Sequence, residues 1–137
     1  MIVIDASTIV SAALFPDSVP GRALVRARAI DVLAVSVETA AEISEVLARP
    51  KFTQRLPPEV RRSFLELLFR SAAWFEPRVA VADCRDINDN KYLELVLESE
   101  ASTLVSSDSD LLSLHPWRGI PILSPADYMR AAIPPLR

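Results

Sequence analysis

The stretch LVSSDSDLL, residues 104–112, reads as the point where a buried strand hands over to a helix. Leu104 and Val105 end an apolar run, and Leu111 and Leu112 begin a helical apolar face. Asp108 and Asp110 lie between them. Two mutually repelling carboxylates at such a junction have two explanations, helix capping or a bound cation. Ser107 followed by Asp110 matches the capping-box pattern, which assigns Asp110 to the helix end and leaves Asp108 unexplained.

Working outward, the same strand-to-helix pattern recurs along the chain. MIVI (1–4) is a short apolar run that stops at Asp5, and ASTIVSAALF (6–15) follows as a helix broken by PDSVPG (16–21). RALVRARAI (22–30) is amphipathic, VLAVS (32–36) is a second strand, and Ser36 can cap the helix of residues 37–49, with Pro50 ending it. PKFTQRLPP is a loop, and residues 59–75 form a long helix that runs into a short third strand near 74–81. Residues 84–99 are a polar turn leading into a helix, 102–107 a fourth strand, 119–125 a fifth, and ADYMRAA the last helix. This alternation predicts an α/β domain with a parallel sheet of about five strands flanked by helices on both faces. One domain over residues 1–133 and a short tail over 134–137, marked by Pro134 and Pro135, is the economical organisation of a chain this long. Tyr128, Met129 and Ile133 are available for internal packing or for a partner.

Composition narrows the chemistry. The chain has 137 residues, half of them apolar, and no run long enough to span a membrane. MIVIDAS has no basic leader character, and the single cysteine, Cys84, precludes an internal disulfide, so a reducing cytoplasmic setting is expected. His115 is the one histidine, which argues against zinc and leaves little for a nucleophile–histidine pair. Two glycines, Gly21 and Gly119, cannot make a glycine-rich phosphate loop. Carboxylates remain as the main reactive groups. Residues 22–78 carry a local charge of +3 and residues 79–137 one of −4. That asymmetry suits an acidic site beside a phosphate-binding surface and equally suits ordinary solvated helix faces.

In open α/β sheets ligands gather beyond the C-terminal strand ends, where Asp5, Asp108 and Asp110 fall. A helix over 88–98 with Leu93 at 0° places Asp89 at about 320°, within the stripe of Leu97 and Val96. A carboxylate there is costly unless an arginine, a cation or the helix N-terminus offsets it. With Ile43 at 0°, Glu42 falls at about 260°, on the flank of the apolar stripe, and Glu45 at about 200°, facing water. A site of such carboxylates, without His or Cys, suits Mg²⁺ or Mn²⁺. Such a cation polarises a phosphoryl oxygen and acidifies a coordinated water.

These segments, in order, carry a family resemblance. MIVIDASTIVSAAL, AEISEVLARPKF, CRDINDNKYLELVLES and LVSSDSDLL together resemble the acidic motifs of PIN-domain ribonucleases, specifically the VapC-like toxins of toxin–antitoxin operons. The resemblance covers nearly the whole chain. It implies a site of Asp5, Glu42, Asp89 and Asp108 with Asp110 as an auxiliary acid. It implies Mg²⁺- or Mn²⁺-dependent endonucleolytic cleavage of RNA to a 5′-phosphate and a 3′-hydroxyl, a homodimer and a small antitoxin. Asn88 stands where relatives often have Asp, with Asp86 a partial substitute, Ser7 where Asn is common, and Ser106–Ser107 where Thr-Gly is frequent. Ser7, Arg49, Lys51 and Arg55 are the candidate substrate contacts. Two other readings stay open: a receiver-like phosphoacceptor domain, which would want an acid pair after the first strand and a Lys after the fifth, and a PIN-like fold that binds without catalysis.

Overall fold

The computed structural model describes residues 1–131, so Ile133 and the expected 134–137 tail lie outside the described residues. Among these residues five short parallel strands arise where apolar runs were read. They are β1 (Ile2–Ile4), β2 (Ala34–Val35), β3 (Ala73–Trp74), β4 (Thr103–Val105) and β5 (Ile122–Leu123). They form two ladders, β1-β4-β5 and β2-β3. The ladders are joined by a single parallel bridge, Ile2 to Leu33, with the Ile2 N–H donating to the Val32 carbonyl at 3.0 Å. The single five-stranded ladder expected from sequence is therefore replaced by a three-stranded and a two-stranded sheet.

Among the described residues seven α-helices connect and cover these strands: α1 (Ala6–Leu14), α2 (Val19–Ile30), α3 (Val37–Leu47), α4 (Pro58–Arg70), α5 (Asn90–Ser99), α6 (Ser109–Leu112) and α7 (Pro125–Ala131). α5 packs against β1, β2 and β4, while α2 packs against α1 and α7. α1 buries Ala6, Thr8, Ile9, Val10, Ala12, Ala13 and Leu14, so it is a core helix with almost no solvent face. Tyr92, Leu93, Leu95 and Val96 bring α5 into the same core as Ile2, Val3, Leu104 and Val105. Among the described residues no helix is long and apolar enough to cross a membrane.

Several boundaries differ from the sequence reading, among them the long helix expected over 59–75, which ends at Arg70. α2 starts at Val19 rather than after Gly21, capped by Ser18, whose hydroxyl accepts the Gly21 N–H. Pro20 sits in the first turn, where its missing N–H costs nothing. Gly21 lets that turn approach Pro16: an added Cβ would lie 2.1 Å from the Pro16 carbonyl oxygen. The third strand is residues 73–74, directly after α4, and residues 75–81 form no strand. Residues 87–89 form a 3₁₀ turn before α5 rather than its first turn.

The parallel register decides what meets at the strand ends. Ile4 lies opposite Val105, so Asp5 and Ser106 leave their strands side by side. The Asp5 N–H donates to the Val105 carbonyl at 3.0 Å. Ser36 directly follows β2 and caps α3 through a capping box with Thr39.

Candidate metal centre

One open cleft of about 480 Å³ gathers the strand-end and helix acids. Asp5, Glu42, Asp86, Asp89 and Asp108 line it, together with Ser7, Arg49, Tyr92 and Ser107. The four acids singled out in the sequence thus share one space, delivered by β1, α3, the turn before α5 and the end of β4. Asp110 is not among the lining residues.

Asp5 is buried and fully engaged. It is the N-cap of α1, with Oδ1 accepting the Thr8 N–H at 3.0 Å. The Ser7 hydroxyl donates to both of its oxygens at 3.1 Å, and the Ser106 hydroxyl donates to Oδ2 at 2.5 Å. Burial raises the Asp5 pKa, and the bonds from Ser106, Thr8 and Ser7 pull against that shift. The Ser106 oxygen in turn accepts the Asp108 N–H at 2.9 Å, so one buried hydroxyl ties β1's acid to β4's. Sequence reasoning noted Ser106 only as a departure from a common Thr. The parallel register of β1 and β4 is the signal that places it beside Asp5.

The capping roles after β4 are the reverse of those expected. Asp108, not Ser107, is the N-cap of α6, its Oδ1 accepting the Asp110 N–H at 3.2 Å. Asp110 is a recipient of the cap rather than its source. The Asx turn wins over the capping box because α6 is a single four-residue turn beginning at Ser109, which leaves Asp108 at its boundary.

Asp89 differs from the other acids. It occupies the boundary between the 3₁₀ turn and α5, yet makes no capping bond. Its Oδ2 is buried and has no hydrogen-bond partner, the one such side-chain atom among the described residues. One oxygen each from Asp86, Asp89 and Asp108 lie within 4.8 Å of one another. Burial, then a hydrogen bond shared with the Asp108 carboxylate and the charge of Asp108, then the charges of Asp86 and Asp5, push the Asp89 carboxyl up to about 8. An all-oxygen set with an orphaned buried oxygen fits a hard divalent cation, which neutralises such repulsion and supplies the missing partner. Asp86 enters this cluster because the 3₁₀ turn folds residues 86–89 back on themselves. A helical wheel extended through 88 cannot show that.

Glu42 is half-buried, as its place on the wheel implied, and Glu45 is exposed. The Tyr92 hydroxyl donates to Glu42 Oε1, and Lys91 Nζ lies 3.2 Å from Oε2. Tyr92 is almost wholly buried, and its oxygen also accepts the Ala6 N–H at 3.1 Å. Burial, then the bond to Glu42, push the Tyr92 hydroxyl far above its usual range, so it remains a donor. Cys84 is buried below the turn, its N–H held by Asn90 Oδ1 at 2.8 Å.

The candidate substrate contacts separate. Ser7 and Arg49 line the cleft. Lys51 is exposed on the 3₁₀ turn Pro50–Phe52, its ammonium 5.0 Å from the Phe52 ring centre, and does not line the cleft. Arg55 turns away from it: its Nε donates to the Leu14 carbonyl at 2.8 Å, and its guanidinium stacks 4.2 Å from the Phe15 ring. Those contacts tie the end of α1 to the loop before α4 and remove Arg55 from the phosphate-facing set.

Residues 1–110 match the model of the PIN domain family, and the chain belongs to that family. It is also 29% identical over 118 residues to the uncharacterized protein MJ1680 of Methanocaldococcus jannaschii, a match covering 83% of this chain and 74% of that protein. PIN domains are generally divalent-metal-dependent nucleases, and the family assignment sets aside the receiver-like reading.

Proposed function

We propose that this chain is a Mg²⁺- or Mn²⁺-dependent endoribonuclease, the toxin of a toxin–antitoxin pair, acting in the cytoplasm as a homodimer opposed by a small antitoxin protein. The observation that carries the catalytic reading is the unpartnered buried Oδ2 of Asp89 beside Asp86 and Asp108. Asp86, Asp89 and Asp108 would hold the cation, and Asp5 and Glu42 complete the acidic cleft. When bound, the cation supplies Lewis acidity toward a phosphoryl oxygen and lowers the pKa of a water.

The chain's own groups do the rest. Ser106 fixes Asp5 relative to the Asp108 backbone, so two acids keep their spacing without metal. Arg49, on the cleft rim, offers a guanidinium to an RNA phosphate, and Lys51 extends that basic edge outward. Ser7, an exposed residue lining the cleft, is already bonded to Asp5. The toxin role, the antitoxin and the dimer rest on the likeness of the acidic motifs to VapC-like toxins.

The test is incubation of the purified protein with single-stranded RNA in Mn²⁺ and in EDTA, beside an identically prepared Asp89→Asn variant. Cleavage that needs Mn²⁺ and is lost in the variant supports the reading. Equal cleavage by both proteins overturns the Asp89-centred site. Absence of cleavage by a wild-type protein that binds Mn²⁺ favours the alternative, a PIN fold that binds without cutting.

A further inference from the structure

Glu42 is the one acid of the cleft that meets a cation and a neutral donor from the chain itself. Both come from the first turn of α5, where Lys91 and Tyr92 are consecutive. Lys91 Nζ takes Oε2 at 3.2 Å, and the Tyr92 hydroxyl takes Oε1. Neither partner is loose. Lys91's side chain is only 20% exposed, and Tyr92 is locked in the core with its oxygen accepting the Ala6 N–H. Ala6 follows Asp5 directly, and Asp89 precedes the same turn of α5 by one residue. Glu42 is thus held against the two segments that present Asp5 and Asp89, yet it is not one of the three carboxylates that converge within 4.8 Å.

We infer that Lys91 and Tyr92 are positioning residues that clamp Glu42 at the edge of the cleft, so that it serves a bound cation through water rather than as a direct ligand. The inference rests on the proposed metal site and adds a division of labour within it. Asp86, Asp89 and Asp108 set affinity. Glu42 sets orientation, and its orientation is set by α5. The ion pair also explains how a fourth carboxylate sits beside three others without adding its full repulsion: Lys91 neutralises it locally. Phe in place of Tyr92 would pack equally well and would lose only the two-way hydroxyl bridge between Ala6 and Glu42.

The test is calorimetric titration of Mn²⁺ alone into wild type, Asp89→Asn, Glu42→Gln, Tyr92→Phe and Lys91→Met, with cleavage rates on single-stranded RNA measured in parallel. Asp89→Asn is expected to weaken Mn²⁺ binding by about 10-fold or more, whereas Glu42→Gln stays within about 3-fold of wild type. Tyr92→Phe is expected to slow cleavage by about 10-fold at saturating RNA with KM unchanged, and to have no further effect in a Glu42→Gln background. A Glu42→Gln loss of Mn²⁺ affinity as large as that of Asp89→Asn overturns the inference. So does a Tyr92→Phe effect of equal size with and without Glu42. Should Tyr92→Phe fail to fold, Lys91→Met carries the same double-variant comparison. A wild type that binds Mn²⁺ but cuts no RNA would overturn the nuclease reading alone, because the titrations still decide whether Glu42 is a direct ligand.

Discussion

Asp5 and Asp89 line one cleft, and the chain treats them in opposite ways. Asp5 receives a backbone N–H and two hydroxyls and caps the central helix. Asp89 stands at a helix boundary, caps nothing, and leaves a buried oxygen without a partner beside two further carboxylates. The first acid is required by the fold. The second is tolerated by it, at a cost that the proposed cation would remove. A buried carboxylate whose donors are all supplied internally is part of the scaffold, and one left short of donors marks where a ligand belongs.

Substitutions at the two positions sharpen that contrast. The largest expected effect is on activity. Asp89→Asn lowers Mn²⁺-dependent RNA cleavage by about 100-fold or more, the upper end of what changes around a metal site cost. It leaves metal-free stability unchanged or raised, as urea unfolding without metal would show. Asp5→Ala does the converse to the scaffold. It removes the α1 cap and leaves the Thr8 N–H and the Ser106 hydroxyl unpaired, at about 2–3 kcal/mol of unfolding free energy in the same experiment. Equal stability losses from the two substitutions would break the comparison.

pH separates them further. Asp89 titrates at about 8 in the folded chain and near the ordinary aspartate value when unfolded. The unfolded state therefore releases its proton first as pH rises. This group costs stability increasingly from about pH 4 to about pH 8, and the cost is constant above that. Metal-free wild type is expected to lose stability across this window more steeply than Asp89→Asn, measured by urea midpoints at matched ionic strength. The smallest effects fall on two arginines. Arg55→Ala lowers stability by about 1 kcal/mol through its bond to Leu14, without weakening RNA binding. Arg49→Ala weakens RNA binding in a salt-dependent way without a measurable change in stability.

Much of this was legible in the sequence, for definite reasons. Strand-end acids follow from where apolar runs stop, which located Asp5 and Asp108. Helical periodicity separated Glu42 from Glu45 and put Asp89 on a buried side. What the sequence concealed depends on geometry that periodicity does not carry. The 3₁₀ turn at 87–89 swings Asp86 into the cluster. A one-turn helix α6 gave the cap to Asp108 rather than to Ser107. Nothing in the sequence marks Tyr92, and only the neighbouring α3 shows that its hydroxyl reaches Glu42. Arg55, near the acidic helix in sequence, folds back onto Phe15 instead. The single bridge between Ile2 and Leu33, all that joins the two ladders, is likewise a matter of pairing that apolar runs do not reveal.

The central claim is that Asp89's unpartnered oxygen is a cation site. Thermal unfolding of wild type and Asp89→Asn, each with EDTA and with excess Mn²⁺, tests it without any assumption about substrate. A ligand at about 100 times its dissociation constant adds about 2.7 kcal/mol to the folded state. Wild type is therefore expected to melt several degrees higher in Mn²⁺ than in EDTA, and Asp89→Asn to show a clearly smaller rise at the same Mn²⁺ concentration. An equal rise in the two proteins, or none in wild type, would contradict the account.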